Sequence, residues 1–278
     1  MLHQLRQAPI PRLHGLELSG SIHAIYRTTW DISQLLNNPL IDKATTIFTG
    51  SQGSLPDSLS PFCSELSSEI ALIPLARLQT MEAAINEAAL SSSASNSSAI
   101  AHFHLVNVLL NAPLRDLISF ASLEKSNVHA RQVEARLRRW LREGQRARCA
   151  FFHAGSLFGY VKDHCRSEYY GAIALTVATL TLWVYNLLLG RHASQENASL
   201  KNTTMRLDGS TDSSSVKAWI VEGAPIRLFV AEVGNLCHPD ANSRIIQVAC
   251  QTLLSTSSWG MTQKLVNILM SLNVHQSD

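Results

Sequence analysis

The pattern that decides the fold reads HARQVEARLRRWLREGQRARCAFFHAGSLFGYVKDH, from His129 to His164, and it is the longest helical pattern in the chain. Apolar residues recur on it at helical spacing in two stripes, one on either side of Gly144. The stripes consist of Val133, Leu137, Trp140 and Leu141, then of Ala147, Ala150, Phe151, Ala154, Leu157, Phe158 and Val161. Because neither stripe is stable in water, each needs partner helices. We therefore expect this stretch to form the core of an all-helical domain.

Arginines line the face opposite the first stripe. From Arg131 to Arg148 the chain has seven Arg and two Glu, which leaves a local charge of about +5, whereas the whole chain carries only +2. One interpretation is a helix that contacts phosphate or nucleic acid. The other is a solvated face whose arginines reach neighbouring helices and satisfy their carbonyl groups. The second is favoured, because apolar residues alternate with the arginines and no aromatic stacking platform accompanies them.

Composition indicates a globular chain with reduced thiols. The 278 residues suffice for one large domain or two small ones, and 46% of them are hydrophobic. The five cysteines are odd in number and none forms a C-x-x-C pair, so neither a disulfide framework nor a zinc finger is indicated. The first residues lack the continuous apolar segment of a signal peptide. These features favour the cytosol or the nucleus.

Residues 1–98 are predicted to be a weakly ordered or helical segment. One or two short helices are expected around Ile22 to Leu36, and another from Pro74 to Leu90. The Ser-rich sequence SSSASNSS, Ser91 to Ser98, is typical of a linker. Two further helices, Ile100 to Leu110 and Leu114 to Leu123, are separated by Pro113.

A second decisive stretch, GAIALTVATLTLWVYNLLLG from Gly171 to Gly190, carries no charge. Its length meets the criterion for a transmembrane helix. It also fits a helix that is buried on all sides in a large core. Three Thr and Asn186 make it a poor membrane span, and the neighbouring amphipathic helices need water on one face, so the core helix is favoured.

Residues 192–215 are predicted to be a polar insert, either a loop or disordered. Beyond it, one helix is expected after Pro239, ending near Trp259 and Gly260, and a last one around Leu265 to Leu272. The whole chain thus predicts an all-α fold, an irregular bundle of roughly eight to ten helices without a convincing pair of strands.

No catalytic, cofactor-binding or metal-binding residue is predicted. The chain contains no G-x-G-x-x-G, Walker, G-x-S-x-G or H-E-x-x-H motif. Metal-ligating residue types occur only as pairs that cannot complete a site. His102 and His104 point apart on a helix, and so do the adjacent residues Cys237 and His238. His153 and His164 are ~16 Å apart along their helix, and Cys149 and His153 lack a third ligand. The residues alone therefore indicate a mostly α-helical globular protein without a visible catalytic centre. An α-helical enzyme whose site comes from scattered polar residues has no support in the sequence, and a deep pocket with convergent titratable groups would be needed to favour it.

Five stretches, in this order, together resemble a known family. They are HFHLVNVLLNAPLRDLISFA (His102 to Ala121), VEARLRRW (Val133 to Trp140), RARCAFFHAG (Arg146 to Gly155), TLWVYNLLLG (Thr181 to Gly190), and WG with LVNILMSL (Trp259 to Leu272). Their order and spacing are similar to those of the fungal-specific transcription factor regulatory domain, or middle homology region. The closest type is the one that follows paired two-Cys, two-His zinc fingers.

The resemblance implies that residues 99–278 form an all-α, non-enzymatic regulatory domain of a nuclear RNA polymerase II transcription factor. It implies core and helix-packing roles for Trp140, Arg148, His153, Trp183 and Trp259. Buried polar contacts by Arg148 and His153 are a hypothesis. Co-regulators, a small effector or a second copy would be the partners, and the alternative is a membrane-anchored protein that uses residues 171–190.

The family places zinc in a DNA-binding module ahead of this domain. Met1 to Leu90 contains a single Cys, so that module is expected to be absent, as in a truncated chain or a finger-less paralogue. Zinc is therefore not expected in this chain. DNA would be bound only through the missing module, because phosphate contacts by the arginines carry no sequence information.

Overall fold

A computed structural model of the chain describes residues 16–36, 85, 94–122, 128–142, 144–164, 169–196, 204–209, 213–223, 226–255 and 260–274. They belong to two compact units, Met1–Phe103 and His104–Asp278. Ile85, helical and buried, is the one described residue of the helix predicted from Pro74 to Leu90. Trp259 lies outside the described residues. The division into a segment 1–98 and a regulatory domain 99–278 stays a prediction.

Helices dominate the part of the chain that the structure describes. Nine helices and three short strands follow one another as α1 (Leu16–Leu36), α2 (Ala94–Asn111), α3 (Leu114–Ser122), α4 (Val128–Arg142), α5 (Gln145–His164), α6 (Tyr169–Glu196), β1 (Thr204–Arg206), α7 (Ser213–Glu222), β2 (Arg227–Val230), β3 (Gly234–Asn235), α8 (Ala241–Ser255) and α9 (Gly260–Val274). The predicted all-α fold is confirmed.

In the first unit, α1 is one continuous helix rather than two short ones. It buries Leu18, Ile22 and Ile25. α2 begins at Ala94, so the end of the Ser-rich sequence is helical, and the prediction that all of residues 91–98 form a linker is wrong. Ser and Asn are unfavourable inside a helix but are well tolerated at its beginning.

In the second unit, α6 is the central helix, and α3, α4, α5, α8 and α9 all pack against it. This explains the uncharged stretch, because a helix with several neighbours exposes little surface to solvent, and Ile173 is the one exposed residue between residues 171 and 189. Its threonine hydroxyls stay inside the helix: Thr176 donates to the carbonyl of Ala172, and Thr179 donates to that of Leu175.

The membrane interpretation of this stretch is not favoured. Among the described helices, the one over Tyr170–Leu189 is long and apolar enough to cross a membrane, with a mean hydropathy of 1.8. However, 72% of the apolar window is buried inside the protein. The helix also continues past the end of the uncharged stretch at Gly190 to Glu196.

The stretch from His129 to His164 forms α4 and α5, as predicted. Gly144 separates them with a φ of 71°, a left-handed conformation that favours glycine. Every residue of the two predicted apolar stripes is buried. α4 packs against α3, α5 and α6, and α5 packs against α6 and α7, so both stripes find the partner helices that they require.

Three short strands form a small sheet that the sequence analysis did not predict. β1 pairs with β2 in parallel and β2 pairs with β3 antiparallel, so the expectation of no strand pair is wrong. The polar insert predicted over residues 192–215 is also partly wrong: it holds the end of α6, the whole of β1 and the start of α7. Met205 and Leu207 are buried, and their alternation with exposed Arg206 is the pattern of a half-buried strand.

Candidate functional site: the arginine-rich helices

The arginines of α4 and α5 are the chemically distinctive feature of the bundle. One of them, Arg146, and the nearby Trp140 donate hydrogen bonds to the end of α2. Trp140 Nε1 donates to the carbonyl oxygen of Asn111 over 2.8 Å, and Arg146 Nη2 donates to that of Leu110 over 3.0 Å. These carbonyls lie in the last turn of α2, where the helix itself supplies no donor. A cation there also complements the helix dipole.

Arg148 acts in the same way at the end of α7. Its Nε donates to the carbonyl of Ile220 over 2.9 Å, and its Nη2 donates to that of Val221 over 3.1 Å. Two glycines with positive φ, Gly144 and Gly223, flank the guanidinium, and a Cβ on either would lie 2.7 Å from its Nη1. The arginine therefore fits between two backbone turns that only glycine can form comfortably.

Two other arginines form ion pairs at the sides of α4. Arg136 Nη2 lies 2.7 Å from Asp116 Oδ1 on α3, and Arg138 Nη2 lies 2.7 Å from Glu134 Oε1 on the same helix. Together with Arg146 and Arg148, these contacts confirm the structural interpretation for four of the seven arginines between Arg131 and Arg148. Arg131, Arg139 and Arg142 remain on the exposed side of α4.

A histidine pair that sequence reasoning missed joins α2 to α5. His104 Nδ1 lies 2.9 Å from His153 Nδ1, so one ring must carry its proton on Nδ1 and the other must leave that nitrogen free to accept. Burial lowers the pKa of His104 to about 4. Burial, and then the proximity of His104, lower the pKa of His153 well below its ordinary value. Both rings are therefore neutral near pH 7.

Two hypotheses from the sequence agree with these contacts. Arg148 and His153 both make partly buried polar contacts, Arg148 with carbonyl groups of α7 and His153 with His104 of α2. His102 and His104 do point apart: His102 Nδ1 lies 3.0 Å from the Ser19 hydroxyl, inside the first unit. A two-residue step on a helix is enough to separate them.

The described side chains do not fit a zinc ion. His153 would have to combine with Cys149, one turn earlier, and with a third ligand. Its Nδ1 is instead taken by His104, and the described residues bring together no group of three His, Cys, Asp or Glu that could hold a metal. The described cysteines, Cys149, Cys237 and Cys250, form no disulfide bond.

An aromatic cluster lies beside Arg148 and fixes α5 to α6 and α7. The rings of Phe151 and Tyr185 stack with centroids 3.8 Å apart, and Trp219 lies 6.5 Å from Phe151. Burial raises the pKa of Tyr185 to about 12, although the Arg148 charge opposes the shift. The tyrosine hydroxyl therefore keeps its proton, and the cluster is a packing element of the core.

Two glycines one turn apart on α5 form a notch that receives the segment after β1. A Cβ on Gly155 would lie 2.4 Å from Leu207 Cβ, and one on Gly159 would lie 2.5 Å from Asp208 Cβ. Ser156 Oγ, between the glycines, donates to the carbonyl of Leu207 over 2.8 Å. The G-x-x-x-G spacing could have indicated a close approach here, but it does not name the segment that fills the notch.

The tryptophans of the family pattern are core residues where they are described. Trp140 is 6% exposed and Trp183 is 1% exposed. Trp183 packs against Phe120 of α3, with ring centroids 6.0 Å apart. The packing role implied for these two residues is confirmed, whereas Trp259 lies outside the described ranges.

Comparisons with known proteins add one finding to this geometry. No family model matches the chain, and no solved structure matches it. The chain is 27% identical over 160 residues to a protein named "Transcription factor" from Gibberella fujikuroi, an alignment that covers 57% of this chain and 21% of that protein. The chain thus aligns with about a fifth of the length of this curated relative. It is a distant relative of a fungal transcription factor.

Proposed function

We propose that residues 99–278 are the non-enzymatic regulatory domain of a fungal RNA polymerase II transcription factor. The observation that carries the proposal is the similarity to a fungal transcription factor over 160 residues. The all-α fold supports it, since the resemblance to the middle homology region implies such a fold.

The stretches that carry this resemblance also hold the second unit together, which supports reading them as one domain. The stretch from His102 to Ala121 supplies the end of α2 that Trp140 and Arg146 cap. The stretch from Arg146 to Gly155 supplies Arg148 and the first glycine of the notch. The stretch from Thr181 to Gly190 lies in the central helix α6.

In this proposal the domain is located in the nucleus and regulates transcription through its partners. Those partners are co-regulators, a small effector or a second copy of the chain. Sequence-specific DNA binding, and the zinc that supports it in the family, belong to a separate module of the regulator. The buried His and aromatic clusters described above are packing elements and carry out no reaction.

A reporter experiment in a fungal host tests the proposal. The full chain is fused to a heterologous DNA-binding domain, and transcription from a matched promoter is measured. α6 offers two matched variants, since Val184 is 0% exposed and Ile173 is 42% exposed on the same helix. Val184→Asp buries a charge in the core and should unfold the domain, whereas Ile173→Asp should leave it folded.

We expect the parent fusion and Ile173→Asp to change reporter output to the same extent, in either direction, and Val184→Asp to lose the effect. Immunoblotting and circular dichroism establish the amount and the helicity of each fusion. A folded parent fusion that leaves the reporter at the level of the DNA-binding domain alone would contradict a regulatory role. So would a Val184→Asp fusion that matches its parent.

A further inference from the structure

Arginines line up on the exposed side of α4. Its buried side is formed by Ala130, Val133, Leu137, Trp140 and Leu141. At about 100° per residue, Arg131, Ala135, Arg139 and Arg142 fall within about 80° of one another on the opposite side. All four residues are exposed. We call these four residues the basic stripe.

Among the residues that the structure describes, the acidic side chains near α4 pair with arginines outside the stripe. Asp116 and Glu134 pair with Arg136 and Arg138, which flank it. Within the part of the chain that the structure describes, Arg131 and Arg139 make neither a hydrogen bond nor an ion pair. Arg142 only donates its Nε to the carbonyl of Arg138, over 3.3 Å. A protein surface ordinarily mixes charges of both signs, so three arginines that pair with no acid among the described residues indicate an anionic partner.

The shape of the stripe distinguishes between anionic partners. It is a straight, convex row about 16 Å long from Arg131 to Arg142, with the small Ala135 in its interior. An acidic peptide needs a groove or a sheet edge on its receptor. Duplex DNA brings its own grooves and a regular row of phosphates to a convex helix. The guanidinium fork also matches phosphate oxygens in a bidentate manner.

We infer that the basic stripe binds the phosphate backbone of duplex DNA without reading its sequence. The inference rests on the proposed function, since a transcription regulator works where DNA is present. The stripe would add affinity and orient the domain on the duplex, while base recognition stays with another module. It gives a role to the three arginines that the fold does not use.

The salt dependence of DNA binding by the full chain tests this inference. Binding to a fluorescein-labelled 20-bp duplex of arbitrary sequence is followed by fluorescence anisotropy between 50 and 200 mM salt. Three phosphate contacts predict a slope of log K against log salt of about −2.7, which is about a 40-fold loss of affinity over this range. The triple variant Arg131→Gln, Arg139→Gln, Arg142→Gln should lose this slope.

A matched triple variant controls for net charge. Arg227→Gln, Lys217→Gln and Lys264→Gln also remove three exposed cations, but outside the basic stripe. We expect this control to keep the slope of the parent chain. Gln resembles Arg and Lys in helix propensity, so the helical substitutions should fold alike, which circular dichroism checks.

Three results would overturn the inference. The first is a parent chain that does not bind the duplex at 50 mM salt. The second is an equal loss of binding in both triple variants, which would make net charge the cause. The third is binding of fluorescein-labelled poly-glutamate in preference to the duplex, which would identify an acidic peptide as the partner. None of these results affects the reporter experiment, so the proposed function is tested separately.

Discussion

Replacing Arg148 by Gln should destabilise the second unit through the end of α7. The substitution removes two charge-assisted hydrogen bonds, to the carbonyls of Ile220 and Val221. Such bonds contribute about 1.5–3 kcal/mol each. Arg148 is only half-buried and Val221 is 61% exposed, so water replaces part of the interaction. We therefore expect a loss of about 2 kcal/mol in the free energy of unfolding.

Thermal and urea unfolding, followed by circular dichroism, measure this loss. For a unit of this size, 2 kcal/mol lowers Tm by roughly 4–8 °C. Arg139→Gln is the matched control on α4, because Arg139 has no partner among the described residues, and it should change the stability by less than about 0.5 kcal/mol. If the two variants have the same Tm and free energy of unfolding, or if Arg139→Gln is the less stable one, the distinction between structural and exposed arginines is refuted.

Two further predictions follow from close packing and from burial. Gly155→Ala should lower the free energy of unfolding, measured with urea, by about 1–3 kcal/mol, because its Cβ would overlap with Leu207 Cβ. Gly20→Ala, which has open space around its Cβ, should not destabilise the chain. Equal effects of the two substitutions would refute the close packing at the notch. Burial lowers the pKa of His104 to about 4 and also lowers that of His153, so the unfolded chain, with histidine pKa values near 6.5, takes up protons first as the pH falls. The free energy of unfolding should therefore decrease as the pH falls from about 6.5 to 4, and His104 should account for about 1–2 kcal/mol of this loss at pH 5. A His104→Gln variant whose stability falls equally with pH would contradict the role of His104.

Local periodicity was enough to predict the helices that carry the second unit. The alternation of apolar residues on α4 and α5 repeats every three or four residues, so it identifies both the helices and their buried faces. The uncharged stretch of α6 predicted a helix but left two environments open. Only the packing of five helices around it decided between core and membrane, because hydropathy is the same in both.

Three of the features that were missed depend on partners far apart in the sequence. β1 pairs with β2 through Met205 and Leu228, and no local sequence pattern indicates a parallel strand of only three residues. His104 meets His153 across two helices, whereas the sequence only suggested pairs within one helix. The notch on α5 is a third example. The spacing of Gly155 and Gly159 can be read from the sequence, but the sequence does not indicate that Leu207 fills the notch.

Hydrogen exchange of α6 tests most directly whether this chain is a helical bundle built around its uncharged stretch. The full chain is purified without detergent, and exchange is followed by mass spectrometry of its peptic peptides. We expect peptides within Tyr170–Leu189 to be among the slowest to exchange, because five other helices pack against this helix. Fast exchange of these peptides in water, with protection only after lipid vesicles are added, would contradict the bundle and make α6 a membrane helix.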